Sequence, residues 1–238
     1  TISAETISRL EAGALSAAED ALQMEDEVRR QFFMVGYTVA QYRLDNYPLA
    51  SLLDHNGQKA EADVVATFLP GEVVESLYAA MRTAGLQVSS LTLEPIAAMN
   101  AAIPVELRLL NLALVDIGAG TTDIAVCRDG SVTGYTMATI AGDEITEAIM
   151  RTFLVDFQTA EEMKRDFRPG EDAHYTDILG LENTAAFEEI HSAIQEPMGR
   201  LAEAIAVQVS ELNGGAPSAL FLAGGGSKLA GLREKVAA

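Results

Sequence analysis

The sequence predicts an α/β fold, because amphipathic helical segments alternate with strand-like runs and glycines follow two apolar strands directly. The two strands are residues 109–115 and 219–222, and glycines begin within three positions of each strand's end. The chain has 238 residues, of which 49% are apolar. That length and composition are sufficient for one large globular domain or two smaller ones with a substantial core.

Periodicity gives the predicted order of elements in the first half of the chain. Apolar residues spaced by three and four predict helices, whereas runs rich in Val, Phe and Thr predict strands. Ser3 is a candidate N-cap, and Gly85 is a candidate terminating glycine. The predicted elements are a helix over residues 1–29, strands over 32–39 and 60–68 around a loop at 55–57, a helix over 72–83, a strand over 87–93 and a short helix from Pro95.

The second half is predicted to contain three strands joined by tight turns, followed mainly by helices. Asp129 and Gly130 form a two-residue hairpin signal between two of these strands. The predicted elements are strands over residues 109–115, 121–128 and 131–137, helices over 143–154 and 159–167, an exposed loop over 168–177, a helix over 183–212 with an interruption at Pro197, a strand over 219–222 and a C-terminal helix.

Charge and cysteine content argue against several classes of function. The chain has 16 basic and 35 acidic residues, a formal net charge of −19. Such a surface repels nucleic-acid backbones and anionic lipid headgroups, so we expect no nucleic-acid partner. The single cysteine, Cys127, cannot form an internal disulfide and lacks the spacing of a zinc site. We expect a cytoplasmic protein, since the N-terminus lacks a signal-peptide pattern.

Residues 116–123, with the sequence DIGAGTTD, are the first candidate ligand-binding motif. Asp116 ends an apolar strand, and Gly118 and Gly120 allow close approach of the backbone to a ligand. Successive N–H groups can form an anion-binding nest, to which Thr121 and Thr122 add hydroxyls. A carboxylate repels phosphate directly, so Asp116 is better suited to hold hydrated Mg²⁺ or to orient a water.

This motif differs from the best-known phosphate loops. It lacks the Lys-Ser/Thr end of a P-loop, and position 123 is Asp where the dinucleotide fingerprint needs glycine. A tight hairpin with a capping aspartate remains the alternative interpretation.

The second candidate motif is the strand at residues 220–223 with the glycines at 224–226, Ser227 and Lys228. A glycine turn that leads into a helix N-terminus favours a phosphate or a sugar edge, and adjacent glycines let a flat base lie against the backbone. Leu229 stands where the dinucleotide and hydrolase patterns need a glycine. An ordinary strand-to-helix turn is the alternative.

Glu161 and Lys164 form a third, weaker candidate. They lie three residues apart on a predicted helix and therefore share a face, where they could hold a ribose and the edge of a base. A surface salt bridge is the alternative interpretation of this pair.

Taken in order, these segments resemble the actin/Hsp70 superfamily and, within it, the FtsA family of bacterial cell-division proteins. The narrower resemblance to FtsA rests on residues 1–18, 36–65 and 72–93. Residues 116–126 resemble the superfamily's second phosphate loop, and residues 222–226 resemble its adenosine motif. Residues 93–98 and 140–143 resemble its two connecting segments. Glu161 with Lys164 matches the helix that contacts the nucleoside.

The resemblance implies an actin-like (ribonuclease H-like) ATPase fold, with two domains and a small inserted α+β subdomain. The implied divisions are residues 1–66 for the inserted subdomain, 67–108 for the remainder of the first domain and 109–238 for the second. The superfamily's first phosphate loop, an early Asp-x-Gly hairpin, has no counterpart here. We therefore expect that the N-terminal hairpin region is missing and that the chain is a fragment.

ATP and Mg²⁺ are the ligands that the resemblance implies. Asp116 is implied as the metal ligand and as the catalytic residue that positions water. Position 119 is Ala where the family loop often has Gly, which restricts approach of the phosphate. The implied nucleotide-binding residues are Gly118, Ala119, Gly120, Thr121, Thr122, Gly142, Glu161, Lys164, Gly224, Gly225, Gly226 and Ser227.

The implied function is a nucleotide-gated polymerising adaptor, at most a slow ATPase. Self-association into filaments and binding to the tubulin-like protein FtsZ are the implied interactions, although residues 171–180 replace the sequence expected where FtsA meets FtsZ. Membrane contact would come only through a segment outside this chain, at the inner face of the cell membrane. A PilM-like pilus-assembly scaffold is the alternative, and a sugar or acetate kinase lacks residues for its catalytic base.

Overall fold

The computed structural model describes residues 1–25, 32–104, 106–128 and 130–237, and the chain divides into two compact units. The first unit comprises Thr1–Leu110 and Cys127–Gly134, and the second comprises Asn111–Val126 and Tyr135–Ala238. Within the described ranges, no helix is both long enough and apolar enough to cross a membrane.

The first unit begins with helix α1 (Ala4–Glu25), which packs on a three-stranded sheet. The sheet has the order β2-β1-β3 and is antiparallel throughout. The Ser3 hydroxyl accepts a hydrogen bond from the Thr6 N–H at 3.3 Å, which confirms the predicted N-cap. Residues 26–29 of the predicted helix lie outside the described residues. The strands are β1 (Phe32–Leu44), β2 (Tyr47–Leu49) and β3 (Ala60–Pro70).

The two long strands extend beyond their predicted ends, and β2 is absent from the prediction. Asp45 and Asn46 adopt positive φ angles of 50° and 71° and turn the chain back into β2. The short side chains of Asp and Asn tolerate this left-handed conformation better than most residues do. The hairpin therefore depends on a turn that the alternating apolar pattern does not reveal.

Two helices follow in the first unit, α2 (Gly71–Thr83) and α3 (Glu94–Ala102), close to their predicted positions. Gly85 has a φ of +74°, as a terminating glycine requires. The strand predicted over residues 87–93 is wrong, because these residues form no ladder with any strand that the structure describes. A strand is stabilised by its cross-strand neighbours, so alternation alone does not create one.

The second unit is built around a sheet of order β6-β5-β4-β9, in which β4 and β9 are parallel. Its core lies between this sheet and the helices, and includes Val115, Ile145, Ile149 and Ile205. Residues 127–134 of β5 and β6 are grouped with the first unit. The elements are β4 (Leu112–Ile117), β5 (Thr122–Arg128), β6 (Ser131–Ala138), α4 (Gly142–Phe153), α5 (Phe157–Asp166), β7 (Ala173–Thr176), β8 (Glu182–Ala185), α6 (Phe187–Asn213), β9 (Ala219–Ala223) and α7 (Leu232–Ala237).

The predicted loop over residues 168–177 is partly wrong, since β7 pairs with β8 as an antiparallel hairpin. The pairing of β8 delays the start of α6 to Phe187, four residues after its predicted start. Pro197 lies within α6 and does not end it. A 3₁₀ turn, Gly226–Lys228, separates the glycines from α7. Asp129 of the predicted hairpin signal lies outside the described residues, whereas Gly130 has the positive φ of such a turn, +84°.

Candidate functional site

The parallel pairing of β4 with β9 brings the two glycine motifs to the same edge of the sheet. Asp116, near the end of β4, lies beside Ala223, the last residue of β9. Both chains then leave the sheet into glycine-containing loops. The edge beyond the carboxyl ends of parallel strands is where α/β proteins commonly bind ligands.

The second glycine motif packs directly against the first. Gly224 has a φ of +79°, and a Cβ atom there would overlap both the Asp116 carboxylate and the Ile117 carbonyl. A Cβ at Gly226 would overlap the side chain of Ile117. Gly225 differs, because a Cβ there would meet no atom within 4 Å. Gly224 and Gly226 are therefore required for packing, whereas Gly225 faces open space.

The loop over residues 118–120 is held by its own turn and by the start of α4. The Gly118 N–H donates to the Thr121 carbonyl at 2.9 Å. The N–H groups of Gly142 and Asp143, the first residues of α4, donate to the carbonyls of Gly118 at 3.1 Å and Ala119 at 2.8 Å. These bonds satisfy two helix N–H groups that would otherwise lack partners. Ala119 itself remains exposed.

The two threonines of the first motif have different surroundings. Thr122 is fully buried, and its hydroxyl donates to the Ile140 carbonyl at 2.8 Å. That bond links β5 to the segment before α4. Thr121 is half-buried, and its hydroxyl donates to the Asp123 carboxylate at a longer 3.4 Å. Of the two hydroxyls, that of Thr121 is the one accessible to a ligand.

Asp116 and Asp123 are the carboxylates nearest the first loop along the chain. Burial, followed by the negative charge of Asp123, raises the pKa of Asp116 above its ordinary value. The described residues contain no cluster of three or more His, Cys, Asp or Glu side chains that could hold a metal ion alone. Mg²⁺ commonly binds one or two carboxylates together with water and substrate phosphates. A metal at Asp116 would therefore need water and phosphate oxygens as its other ligands.

Glu161 and Lys164 lie on α5 and belong to a hydrogen-bonded network with α4. The Lys164 ammonium is 2.5 Å from Glu161 Oε2, 2.7 Å from Thr146 Oγ1 and 3.1 Å from the Gly142 carbonyl. The Thr146 hydroxyl is 2.8 Å from Glu161 Oε2. Burial alone raises the pKa of Glu161, but the hydrogen bonds from Lys164 and Thr146 outweigh it, so this pKa lies below its ordinary value.

Most of the predicted residues therefore lie on one connected part of the second unit. Ser227 is the most peripheral, since its hydroxyl turns back to donate to the Gly224 carbonyl at 2.8 Å. Sequence reasoning missed Thr146, which is fully buried. The sequence contains one indication that Thr146 lies near the site: it is a hydroxyl residue four positions after Gly142, beside the buried Ile145 of α4.

Comparison with known proteins places this arrangement in a family. The sequence profile described as "Cell division protein FtsA" matches residues 113–238, which is more than half of the chain. The chain belongs to the FtsA family. The FtsA of Pseudomonas aeruginosa is 32% identical over 130 residues, which cover 54% of this chain and 31% of that protein. The chain spans about a third of the length of the FtsA relatives from Pseudomonas aeruginosa and Bacillus subtilis.

Solved structures show that this FtsA-family chain has the actin-like ATPase fold. The PilM-PilN type IV pilus biogenesis complex superposes with a TM-score of 0.69 at 22% identity, covering 94% of this chain and 60% of that one. The MreB5 of Spiroplasma citri bound to ADP superposes with a TM-score of 0.52 at 22% identity, covering 67% and 55% of the two chains. The predicted fold class is confirmed.

Proposed function

We propose that this FtsA-family chain binds ATP with Mg²⁺ where its two glycine motifs meet, and that it acts as a nucleotide-gated polymerising adaptor. The observation that carries the proposal is the contact of Gly224 with Asp116 across the β4–β9 pair. The exposed backbone turn after β4 is suited to a phosphate, and the open space at Gly225 is suited to a flat base. The ADP-bound MreB5 structure supports a nucleotide as the ligand of this fold.

Each part of the site has a distinct proposed role. The backbone at residues 118–121 would bind phosphates, since Ala119 and Gly120 are exposed at the end of β4. Asp116 and Asp123 would hold the magnesium ion, whose charge offsets that of the phosphates. Gly225 would lie against the base. Glu161 would accept a hydrogen bond from a ribose hydroxyl.

Calorimetric titration of the full-length protein with ATP and Mg²⁺ tests the site assignment. Asp116→Asn removes the charge of the metal ligand and retains the side-chain shape. Gly225→Val fills space that no atom of the chain occupies, so it should block the base without disturbing the fold. Both variants should lose at least about tenfold in affinity, a change of ~1.4 kcal/mol. Absence of binding by the unmodified protein contradicts the nucleotide site, and equal binding by all three contradicts the residue assignment.

Slow hydrolysis fits this site better than rapid turnover. The described part of the site contains no histidine, the residue that most often acts as a general base. A slowly consumed nucleotide would act as a switch that shifts the population of assembled protein. Phosphate release with and without filament formation, measured in the same sample, tests this point.

The turn between β7 and β8 is the proposed contact for a protein partner such as an FtsZ-like protein. Ile178, Leu179 and Leu181 are 65%, 76% and 59% exposed, so three large apolar side chains face solvent in one short turn. Leu179→Glu should weaken partner binding and leave ATP affinity unchanged. Location at the inner face of the cell membrane would follow from the partner or from a segment outside this chain.

A PilM-like pilus scaffold is the second candidate function. The PilM complex covers 94% of the chain, including the first unit, whereas the FtsA profile begins at residue 113. We propose that residues 1–66 are an inserted subdomain, with 67–108 and 109–238 as the other divisions. Co-sedimentation separates the two functions: pelleting with FtsZ filaments supports the division adaptor, and binding to a pilus-protein peptide without FtsZ binding supports the scaffold.

A further inference from the structure

Lys164 has as many protein acceptors as it has protons to donate. A lysine ammonium carries three N–H donors and no acceptor. In the structure these face Glu161 Oε2 at 2.5 Å, Thr146 Oγ1 at 2.7 Å and the Gly142 carbonyl at 3.1 Å. A direct bond from Lys164 to a ligand would therefore require one of these partners to be given up.

Glu161 is the more accessible member of the pair. Its side chain is 28% exposed, against 14% for Lys164. Lys164 and Thr146 both bind the same carboxylate oxygen, Oε2. The other oxygen, Oε1, has no hydrogen bond from any residue within the described ranges, and it remains available to a ribose hydroxyl. Glu161 thus has one oxygen, Oε1, that is available to a ligand, and a second oxygen, Oε2, that Lys164 and Thr146 hold in place.

Gly142 joins this network to the first glycine loop. Its carbonyl accepts from Lys164, and its N–H donates to the Gly118 carbonyl at 3.1 Å. A Cβ atom at Gly142 would lie 3.0 Å from the Gly118 oxygen and 3.4 Å from Lys164 Nζ, so only glycine fits without displacing a neighbour. A continuous chain of bonds consequently runs from Glu161 through Lys164 and Gly142 to the loop at residues 118–120.

We propose that Thr146 is a positioning residue, which holds Glu161, Lys164 and the loop at residues 118–120 in one fixed arrangement and does not itself touch the nucleotide. The proposal rests on the ATP site proposed above. Its consequence is coupling: a contact at the ribose and a contact at the phosphates each stabilise the arrangement that the other needs. Thr146 is the critical member, because it is fully buried and bonds both Lys164 and Glu161. A buried network that loses one member leaves the others without partners.

Matched threonine variants isolate the hydroxyl from the packing. Thr146→Val preserves the shape of the side chain and removes the hydroxyl, whereas Thr146→Ser retains it. Thr136→Val is the control, since it removes a hydroxyl of the same unit that is bonded to Gln208 at 3.0 Å, outside the network of Thr146. The first measurement is the ¹⁵N–¹H spectrum of the full-length protein without ligand, followed at Gly118, Ala119 and Gly120. The second is ATP affinity by calorimetry in the presence of Mg²⁺.

Thr146→Val should shift the three loop amides and weaken ATP binding about threefold to tenfold, the usual range for one lost hydrogen bond. Thr146→Ser should restore the spectrum and bring affinity within about twofold of the unmodified protein, and Thr136→Val should change neither. Lys164→Met should act like Thr146→Val. Because both substitutions break one network, the double variant should be far less impaired than the product of the single effects.

Loop amides that stay in place in Thr146→Val overturn the proposal, whatever the affinity. Unchanged ATP affinity in Thr146→Val overturns it as well, and so does a double variant whose loss equals the product of the single losses, since that result shows that Thr146 and Lys164 act independently. An unmodified protein that binds no ATP contradicts the proposed function separately. In that case shifted amides would still establish the link between Thr146 and the loop.

Discussion

Gly224 lies against Asp116 so closely that a methyl group on the glycine would overlap the aspartate's carboxylate. The contact joins the end of β9 to the end of β4, within the parallel pair that brings the two glycine motifs together. Packing and ligand binding therefore impose different requirements on neighbouring glycines of the same motif. Substitutions at positions 224 and 225 can separate these requirements.

Gly224→Ala should destabilise the protein by about 2–4 kcal/mol, because alanine is strained at a φ of +79° and its methyl group overlaps Asp116 and Ile117. The matched control is Gly225→Ala, which should change stability by less than about 0.5 kcal/mol, since its methyl group meets no atom within 4 Å. Urea unfolding of both variants measures the difference. Equal stability of the two would show that the packing of Gly224 on Asp116 is not as described.

Asp116→Asn should raise the melting temperature of the nucleotide-free protein by about 1–3 °C while it weakens binding of ATP with Mg²⁺. Burial and the charge of Asp123 raise the pKa of Asp116 in the folded state. A raised carboxyl pKa means that ionisation costs stability: the cost is complete above the folded pKa and is lost as pH falls towards the unfolded value of 3.8. Thermal scans at pH 7 and at pH 4 measure the effect. A gain that is as large at pH 4 as at pH 7 would refute the electrostatic explanation.

The amides of the β7–β8 turn should lose protection from hydrogen exchange in acid, because the Asp177 carboxylate holds the turn in place. Asp177 accepts hydrogen bonds from the N–H groups of Leu179 at 2.9 Å and Leu181 at 3.0 Å, and from the Asn183 amide at 3.1 Å. These bonds lower its pKa, with the Leu181 N–H as the largest cause. The contribution of these hydrogen bonds to the stability of the turn is complete above the unfolded pKa of 3.8. It is lost as pH falls through the lower pKa of the folded state.

Hydrogen-exchange protection at Leu179 and Leu181 should therefore be high at pH 6 and should begin to fall only below the unfolded pKa of 3.8. Asp177→Ala should show weak protection at both pH values. Equal protection of Asp177→Ala and the unmodified protein at pH 6 would mean that the backbone ladder, and not the carboxylate, holds the turn.

The first unit should lose stability at strongly alkaline pH. The hydroxyls of Tyr37 and Tyr42 both donate to Glu11, which links β1 to α1. Burial and this carboxylate raise the pKa of Tyr42 to about 12, and the bond to Glu11 with burial raises that of Tyr37. A raised tyrosine pKa contributes stability below the unfolded value of 10.0, which is lost as pH rises towards about 12.

Spectrophotometric titration at 295 nm should show one tyrosine that ionises near pH 12, and Tyr42→Phe should remove that step. Tyr47→Phe is the control, because Tyr47 is 74% exposed. The contact of Tyr42 with Glu11 would be contradicted if the ionisation near pH 12 disappeared in Tyr47→Phe and persisted in Tyr42→Phe.

The sequence was sufficient to predict elements with strong periodicity or distinctive end residues. The α2 and α4 helices, the β4 strand and the turn glycine Gly85 lie within a few residues of their predicted positions. The β7–β8 hairpin was missed because its strands have four residues each, too short for alternation to show, and the bonds of Asp177 that define its turn are visible only in three dimensions.

The candidate site was predictable as motifs but not as a connected structure. Glycine spacing indicates where a backbone can approach a ligand, yet it does not distinguish Gly224, which packs on Asp116, from Gly225, which faces open space. The pairing of Glu161 with Lys164 follows from helical spacing, and the structure shows their ion pair. The role of Thr146 depends on the packing of α4 against α5, which no local pattern in the sequence specifies.

The most direct test of a nucleotide site at this edge of the sheet is an NMR titration of the full-length protein with ATP and Mg²⁺, followed residue by residue. We expect smaller amide shifts at Glu161 and the largest shifts at Gly118, Ala119, Gly120 and Gly225. Amides of the β7–β8 turn, such as Leu179, should remain in place. Saturable shifts confined to residues outside the two glycine motifs, or no shifts at millimolar ATP, would contradict the proposed site.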